Sequence, residues 1–86
     1  MKLYRVEITA PAARQMRRLP KADKARILNK IELLAIDPLP AGVKKLAEDE
    51  STYRVRVGYY RIIYEIYSDD LIIFVVKVKH RRDVYR

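Results

Sequence analysis

Residues 53–64, Tyr-Arg-Val-Arg-Val-Gly-Tyr-Tyr-Arg-Ile-Ile-Tyr, hold the pattern that decides the fold of this chain. Apolar and basic side chains alternate up to Gly58 and alternate again after Tyr59, which is the period-two signature of two half-buried strands. Glycine at the first central position of a two-residue loop suits a type II′ turn. The stretch therefore predicts a tight β-hairpin with Gly58 and Tyr59 at its tip.

The turn fixes the register of this hairpin. It pairs Val57 with Tyr60, Arg56 with Arg61, Val55 with Ile62, and Tyr53 with Tyr64. One face is then apolar, whereas the other carries Arg54, Arg56 and Arg61. Because directly opposed like charges destabilise a sheet, we interpret this face as an anion site. The hairpin alone leaves an alternative open, a solvated face whose arginine stems splay apart and cover apolar surface.

The composition limits the classes of function. The 86 residues suffice for a single domain, residues 1–86, and the absence of cysteine excludes disulfides, cysteine zinc sites and thiol nucleophiles. No secretory leader and no run of transmembrane length is visible, so a soluble, cytoplasmic protein is expected. The 19 Lys and Arg residues against 11 Asp and Glu give a formal charge of +8, which predicts a nucleic acid or an acidic protein as partner.

The N-terminal half predicts a strand followed by a helical hairpin. Residues 2–8 alternate as a strand, and Thr9 is placed to cap a short helix that ends near Leu19–Pro20. A longer helix is predicted over residues 20–36. Its apolar stripe comprises Leu28, Ile31, Leu34 and Ala35.

The outer face of these two helices is basic. Its residues are Arg14, Arg17, Arg18, Lys21, Lys24, Arg26 and Lys30. By default such a face is only solvated, but it could also follow phosphates away from an active centre. Lys21, Lys24 and Lys30 are the candidate RNA contacts on this face.

The C-terminal half predicts the rest of the sheet. Residues 37–42 are rich in helix breakers, residues 43–46 form a short strand or extended segment, and residues 47–51 form an acidic exposed connection. Residues 71–78 are an almost continuous apolar run, which indicates a strand buried on both faces at the centre of the sheet.

The loop at residues 68–70 decides how this last strand pairs. With three residues in the loop, Ile62 faces Val76 and Arg61 faces Lys77, so that Lys77 and Lys79 join the arginine face. A two-residue loop would turn Lys77 into the apolar face, which is costly for an unpaired lysine. The resulting prediction is an α+β domain: a curved antiparallel sheet with a helical hairpin on one face and a basic concavity on the other.

The chain ends in Val75-Val76-Lys77-Val78-Lys79-His80-Arg81-Arg82-Asp83-Val84-Tyr85-Arg86. Set after a hairpin of the form Tyr-basic-Val-basic-Val-Gly-x-Tyr-Arg-Ile-Ile-Tyr, this ending closely resembles the RelE family of bacterial and archaeal toxins, within the RelE/ParE superfamily. The likeness covers nearly the whole chain, in family order, from the opening strand to the last residues.

The resemblance implies a toxin that enters the ribosomal A site, cuts messenger RNA there and is held inactive in a hetero-oligomer with a cognate antitoxin. By position, the basic active-site residues of the family fall on Arg54, Arg56, Arg61 and Arg81, and its stacking or acid–base tyrosine falls on Tyr85. Tyr60 matches a hairpin tyrosine that we expect in the core. The residues assigned to RNA binding are Lys21, Lys24, Lys30, Lys77, Lys79 and Arg82.

The residue types agree with this chemistry. In RNA the neighbouring 2′-hydroxyl can attack the phosphorus, provided that fixed positive charge stabilises the phosphorane and the leaving 5′ oxygen. Neither a Ser or Cys nucleophile nor a metal is then required. One histidine and scattered carboxylates make no metal-ligand spacing, so no cofactor is expected.

Four residues depart from the family pattern. Arg54 and Arg56 stand where well-known members have lysines, and because arginine does not give up its proton, the general base stays unassigned. His80 is the candidate proton shuttle, since histidine titrates near neutrality; the alternative is a surface histidine beside a basic run. Lys79 stands where glycine is usual, and Tyr59 where aspartate is usual at the hairpin tip.

Two other functions stay open. The gyrase-poisoning branch of the superfamily shares the fold and the antitoxin, but it should lack the joint set of Arg56, Arg61, Arg81 and Tyr85. A basic domain without enzymatic activity, either an inactive toxin or an RNA-binding module, also fits the missing lysines.

Overall fold

The structure is a computed structural model that describes residues 3–46 and 51–84. Its central element is one mixed β-sheet of five strands. Its strands are β1 (Arg5–Ile8), β2 (Lys44–Lys45), β3 (Thr52–Val57), β4 (Tyr60–Tyr67) and β5 (Ile72–His80). The helices are α1 (Ala10–Arg17), α2 (Lys21–Ile36) and the short α3 (Arg81–Val84). The strand order across the sheet is β1-β5-β4-β3-β2.

The observed architecture confirms the α+β fold expected from the sequence. Strands β2 to β5 pair antiparallel with their neighbours in sequence, whereas β1 pairs with β5 in parallel. The parallel edge makes the sheet mixed, a detail that the alternation of residues 2–8 does not reveal. Among the described residues, no helix has the length and apolar character that crossing a bilayer requires.

The central hairpin has the predicted register. Its facing pairs are Tyr53 with Tyr64, Val55 with Ile62, Arg56 with Arg61, and Val57 with Tyr60. Gly58 has a φ of +59°, whereas Tyr59 keeps a negative φ. A positive φ at the first loop position alone is the geometry of a type II′ turn, so the predicted turn is confirmed.

The predicted register between β4 and β5 is wrong. Ile62 faces Val78 and Arg61 faces Lys79, each two residues beyond its predicted partner. Leu71 contributes one residue of this shift, because its φ of +54° makes it part of the turn. A β-bulge between Ile63 and Tyr64 contributes the other, since Val76 then has no facing residue in β4.

The two errors cancel in their effect on the faces of the sheet. A shift of one residue turns every side chain to the other face, but a shift of two restores the original face. Lys77 and Lys79 therefore lie on the same face as Arg54, Arg56 and Arg61, as the sequence predicts.

Helix α1 supplies partners for the irregular stretch of β5. Thr9 caps the helix as predicted, because its side chain accepts a hydrogen bond from the Ala12 N–H at 3.4 Å. The same hydroxyl donates to the carbonyl oxygen of Val76 at 3.0 Å. The Val78 N–H donates to Oε1 of Gln15 at 2.8 Å. Side chains of this helical segment thus satisfy backbone groups beside the bulge.

The apolar stripe of α2 differs from the prediction at Leu28, and Ala35 is only half-buried. Its buried residues are Ile27, Ile31 and Leu34, and Leu28 is 36% exposed. The sequence did not determine which face of α2 packs on the sheet, because residues 33–36 are all apolar and several faces of the helix therefore carry apolar residues. In the packed helix Leu33 and Ile36 face outward, and the stripe runs through Ile27 instead of Leu28.

The last strand is buried on one face only, which corrects the prediction of burial on both faces. Strand β5 lies inside the sheet, between β1 and β4, and buries Ile73, Val75 and Val78. Ile72, Phe74 and Val76 are only half-buried. The helices cover one face of the sheet only, so side chains of β5 that do not project toward the helices have no layer above them.

The loop between α2 and β2 is tied to the core by a tyrosine. The Tyr64 ring is fully buried, and its hydroxyl donates to the carbonyl oxygen of Pro38 at 2.6 Å. Burial raises the pKa of the Tyr64 hydroxyl, and the nearby Tyr53 and Asp37 raise it by smaller amounts. The segment after this loop forms β2 as predicted. Residues 47–50 of the predicted acidic connection lie outside the described residues.

Neighbouring residues of α2 provide a matched test of the observed stripe. Ile27→Ala should lower the free energy of unfolding by about 2–5 kcal/mol, because it opens a cavity in the core. Leu28→Ala should cost less than about 1 kcal/mol, because that side chain already meets solvent. Urea unfolding of both variants measures the difference. Equal losses would mean that α2 is rotated from the position described.

Candidate active site

Strands β2 to β5 carry six basic side chains on the face of the sheet opposite the helices, and we call this surface the basic face. The six side chains are Lys44, Arg54, Arg56, Arg61, Lys77 and Lys79. Arg56, Arg61 and Lys79 face one another in a row across β3, β4 and β5. Lys44 faces Arg54 at the β2 edge. Pairing in the sheet thus concentrates charge that lies far apart in the sequence.

Two clefts share two arginines of the basic face, Arg56 and Arg61. The tip cleft has a volume of about 330 Å³ and is lined by Arg56, Gly58, Tyr59, Tyr60, Arg61 and Arg81. The edge cleft has a volume of about 360 Å³ and is lined by Gly42, Lys44, Arg54, Arg56 and Arg61. Because Arg56 and Arg61 line both, the four predicted arginines lie along one continuous track.

The lining of these clefts suits an anion. None of the described residues that line either cleft is acidic. Guanidinium groups present paired N–H donors that match the oxygens of a phosphate. Fixed positive charge of this kind can also stabilise a phosphorane, which carries more negative charge than the phosphodiester from which it forms. Within residues 3–46 and 51–84, no three His, Cys, Asp or Glu side chains cluster as metal ligands would.

Arg81 reaches the tip cleft through a backbone contact. Its N–H donates to the carbonyl oxygen of Tyr59 at 2.6 Å, so the first residue of α3 is attached to the hairpin turn. The next residue, Arg82, donates its N–H to Nδ1 of His80 at 3.1 Å and has an exposed side chain. The start of α3 is thus fixed relative to Arg56 and Arg61.

His80 lies on the helix side of the sheet. It faces Tyr60, which in turn faces Val57, so these residues form the row next to Arg56, Arg61 and Lys79 but project the other way. The rings of Tyr60 and His80 meet edge to face, with centroids 5.0 Å apart. The structure therefore does not bring His80 onto the basic face with the arginines.

Tyr60, expected in the core, is half-buried at the rim between the core and the tip cleft. Its hydroxyl donates to Oδ2 of Asp23 on α2 at 3.1 Å. Partial burial and then this carboxylate raise the pKa of Tyr60. The hydrogen bond joins the first turn of α2 to the hairpin.

The remaining predicted residues are placed in different ways. Lys21, Lys24 and Lys30 belong to α2, in the layer that packs on the opposite face of the sheet from the arginines. Lys30 lines a separate cavity of about 210 Å³ beside Leu33 and Pro40. Tyr85 lies outside the described residues.

Sequence reasoning missed two basic residues near the site. Lys44 lines the edge cleft, and the sequence contained a signal for it. Adjacent strand residues project to opposite faces, so one of the two lysines of β2, Lys44 or Lys45, had to lie on the basic face. Arg26 of α2 lies against the hairpin tip. Its Nη2 atom is so close to Gly58 that a Cβ added there would be only 3.0 Å from it. No local pattern predicts this contact between α2 and the turn.

Comparison with known proteins identifies the family. A family model described as the ParE toxin of the type II toxin-antitoxin system parDE matches residues 6–85. Toxin RelG of Mycobacterium tuberculosis is 31% identical over 84 residues, which cover 96% of this chain and 97% of that protein.

Two solved structures share the fold at a similar level of identity. The archaeal RelE–RelB complex from Pyrococcus horikoshii matches with a TM-score of 0.83 and 34% identity, covering 92% of this chain and 96% of the other. The RelBE2 toxin-antitoxin complex from Mycobacterium tuberculosis matches with a TM-score of 0.82 and 30% identity, covering 94% of each chain. Together with the matched model, these similarities show that the chain belongs to the RelE/ParE superfamily of toxins from type II toxin-antitoxin systems.

Proposed function

We propose that this toxin is an endoribonuclease that cuts messenger RNA in the ribosomal A site without a metal. The observation that carries the proposal is the tip cleft, where Arg56, Arg61 and Arg81 surround a space of about 330 Å³. Arg54 extends the same positive track through the edge cleft. A single-stranded RNA backbone needs such a track to bind and a cluster of fixed charge to react.

The chemistry follows from the substrate. The 2′-hydroxyl oxygen attacks the adjacent phosphorus, and the bond from phosphorus to the 5′ oxygen breaks. The products are a 2′,3′-cyclic phosphate and a 5′-hydroxyl end. We assign Arg56 and Arg61 to holding the scissile phosphate, and Arg81 to the charge that develops on its oxygens in the transition state.

Proton transfer is assigned separately. The attacking hydroxyl must lose a proton and the leaving oxygen must gain one, whereas arginine stays protonated throughout. Tyr85 remains the predicted acid–base or stacking residue. His80 remains a predicted shuttle, although its place on the helix side means that a proton would reach it around the hairpin tip and not across the basic face.

A cognate antitoxin is the proposed partner. The two solved structures described above are toxin-antitoxin complexes, RelE with RelB and RelBE2. A chain with a formal charge of +8 should attract an acidic segment, and such a segment on the basic face would block both clefts. We therefore expect the antitoxin to hold this toxin inactive in a hetero-oligomer.

The first test is expression of the toxin without its antitoxin. Growth should stop because translation fails, and primer extension on a reporter message should show new 5′ ends inside translated codons. A message whose start codon is removed is the matched control and should stay intact. Intact messages together with supercoiling defects would instead indicate gyrase poisoning, the activity of the other branch of the superfamily.

The second test separates catalysis from binding at Arg81. Arg81→Ala should lower the single-turnover rate of cleavage by roughly two to three orders of magnitude, because charge stabilisation is lost only in the transition state. Arg81→Lys should recover part of that rate, since a point charge replaces a paired donor.

Arg82→Ala is the control for this test, since it removes the same charge from the adjacent exposed position. It should weaken ribosome binding slightly and leave the rate of the bound complex unchanged. If Arg81→Ala weakens binding by the same factor as it slows cleavage, Arg81 is a docking residue and its catalytic assignment is wrong.

The third test addresses the lysines of α2. Joint replacement of Lys21, Lys24 and Lys30 by alanine should weaken ribosome association and make the affinity less dependent on salt. The logarithmic slope should fall by about 0.7 for every phosphate of a single strand that the variant no longer neutralises. Cleavage by the bound toxin should change little, because these residues lie across the sheet from the arginines.

Joint replacement of Arg14, Arg17 and Arg18 removes an equal charge from the α1 region and is the control for net charge. A loss of affinity specific to the lysine variant supports phosphate binding by α2. Unchanged affinity in the lysine variant means that this face is only solvated.

A further inference from the structure

Three aromatic rings follow one another from the core to the hairpin tip. Tyr60 is half-buried and contacts His80 edge to face at 5.0 Å. His80 in turn lies next to Tyr59, with ring centroids 6.5 Å apart and planes inclined by 30°. Centroid distances of this size are typical of interacting aromatic pairs. The series ends at Tyr59, which is 67% exposed.

The exposed ring belongs to the wall of the tip cleft. Tyr59 lines that cleft together with Arg56, Arg61 and Arg81. Its backbone is held on both sides, by the turn at Gly58 and by the hydrogen bond from the Arg81 N–H to its carbonyl oxygen. An aromatic side chain on a fixed backbone next to three guanidinium groups lies close to any phosphate that they bind.

We propose that Tyr59 is a stacking residue for a nucleobase that flanks the scissile phosphate of single-stranded RNA. This inference rests on the proposed function, since it names a contact with the same substrate. Bases of single strands stack on aromatic side chains beside positively charged grooves, and each such stack contributes measurably to binding whatever the base. His80 lies beside the Tyr59 ring, with centroids 6.5 Å apart, so a base stacked on Tyr59 would extend an existing series of rings.

The surroundings of Tyr59 favour RNA over a protein partner. An aromatic anchor in a protein interface sits among apolar neighbours that exclude water. In the tip cleft the described neighbours are arginines, a glycine and Tyr60, whose hydroxyl bonds to Asp23. A polyanion with an exposed planar base fits this mixture of charge and ring.

The test uses ribosomes programmed with a message whose codon occupies the A site. Tyr59→Ala should lower the apparent second-order rate constant of cleavage about 10- to 100-fold, whereas Tyr59→Phe should stay within about threefold because the ring is kept. Tyr67→Ala is the control, since Tyr67 is 40% exposed at the far end of β4 and should cleave like wild type. Thermal unfolding of each variant checks that the fold is intact.

A second measurement shows whether a base is the contact. Messages that lack one base of the codon at a time are cleaved by wild type and by Tyr59→Ala. At the stacked position, loss of the base should slow the wild type by the same factor as Tyr59→Ala and should slow that variant no further. Additive losses at every position would mean that the Tyr59 ring contacts no base of the codon, and would overturn the inference.

The remaining outcomes are distinct from one another. If wild type cleaves and Tyr59→Ala cleaves equally well, the stacking role is wrong while the proposed function stands. If Tyr59→Ala loses only antitoxin binding, the ring is a protein contact and the inference is wrong. If the wild type cuts no programmed message under any condition, the proposed function fails and the inference fails with it.

Discussion

The two-residue turn at Gly58 and Tyr59 constrains both faces of the sheet. It sets the register of β3 against β4, and that register sends Val55 and Ile62 to the core and Arg56 and Arg61 to the cleft. A slip of one residue would exchange these sets and bury the arginines. The same turn supplies the carbonyl oxygen that holds Arg81. Folding and the assembly of the site therefore depend on the same few backbone atoms.

A second constraint acts at the opposite side of the hairpin. The bulge in β5 leaves backbone groups outside the regular ladder, and Thr9 and Gln15 of the α1 region bond to Val76 and Val78 there. Buried backbone groups require partners, so the bulge and the helix stabilise each other. Through this arrangement Lys79 lies beside Arg61. The packing of α1 against β5 thus helps to place Lys79 on the basic face, although α1 lies on the other side of the sheet.

The sequence predicted features that local physics determines and missed those that arise from packing. The hairpin register follows from a glycine in a short loop and from strict alternation, so it could be read directly. The left-handed Leu71 could not, because leucine rarely adopts that conformation and only its tertiary setting enforces it. The stripe of α2 was misplaced at Leu28, since a run of apolar residues leaves the rotation of a helix undetermined.

The candidate site shows the same division. Alternation alone groups Arg54, Arg56 and Arg61, whereas Arg81 joined them only through family resemblance. Its contact with Tyr59 spans two elements distant in sequence. His80 was misjudged because its proximity to Arg81 in sequence suggested a shared site, whereas strand alternation places His80 on the face opposite Lys79. The contact of Arg26 with the turn depends on how α2 packs, which no sequence period specifies.

The opposed charges of the basic face also oppose folding of the free toxin. Directly opposed like charges cost roughly 0.2–1 kcal/mol for each pair, which is small beside the roughly 5–15 kcal/mol that stabilises a typical domain. The repulsion between Arg56 and Arg61 is therefore a small destabilisation beside the packing of a core that includes Ile27, Leu34, Ile62 and Tyr64. An acidic partner that binds only the folded state relieves this repulsion and stabilises the fold. Under the proposed function, substrate and antitoxin would then compete for the same guanidinium groups, and inhibition by this competition would need no change in the shape of the toxin.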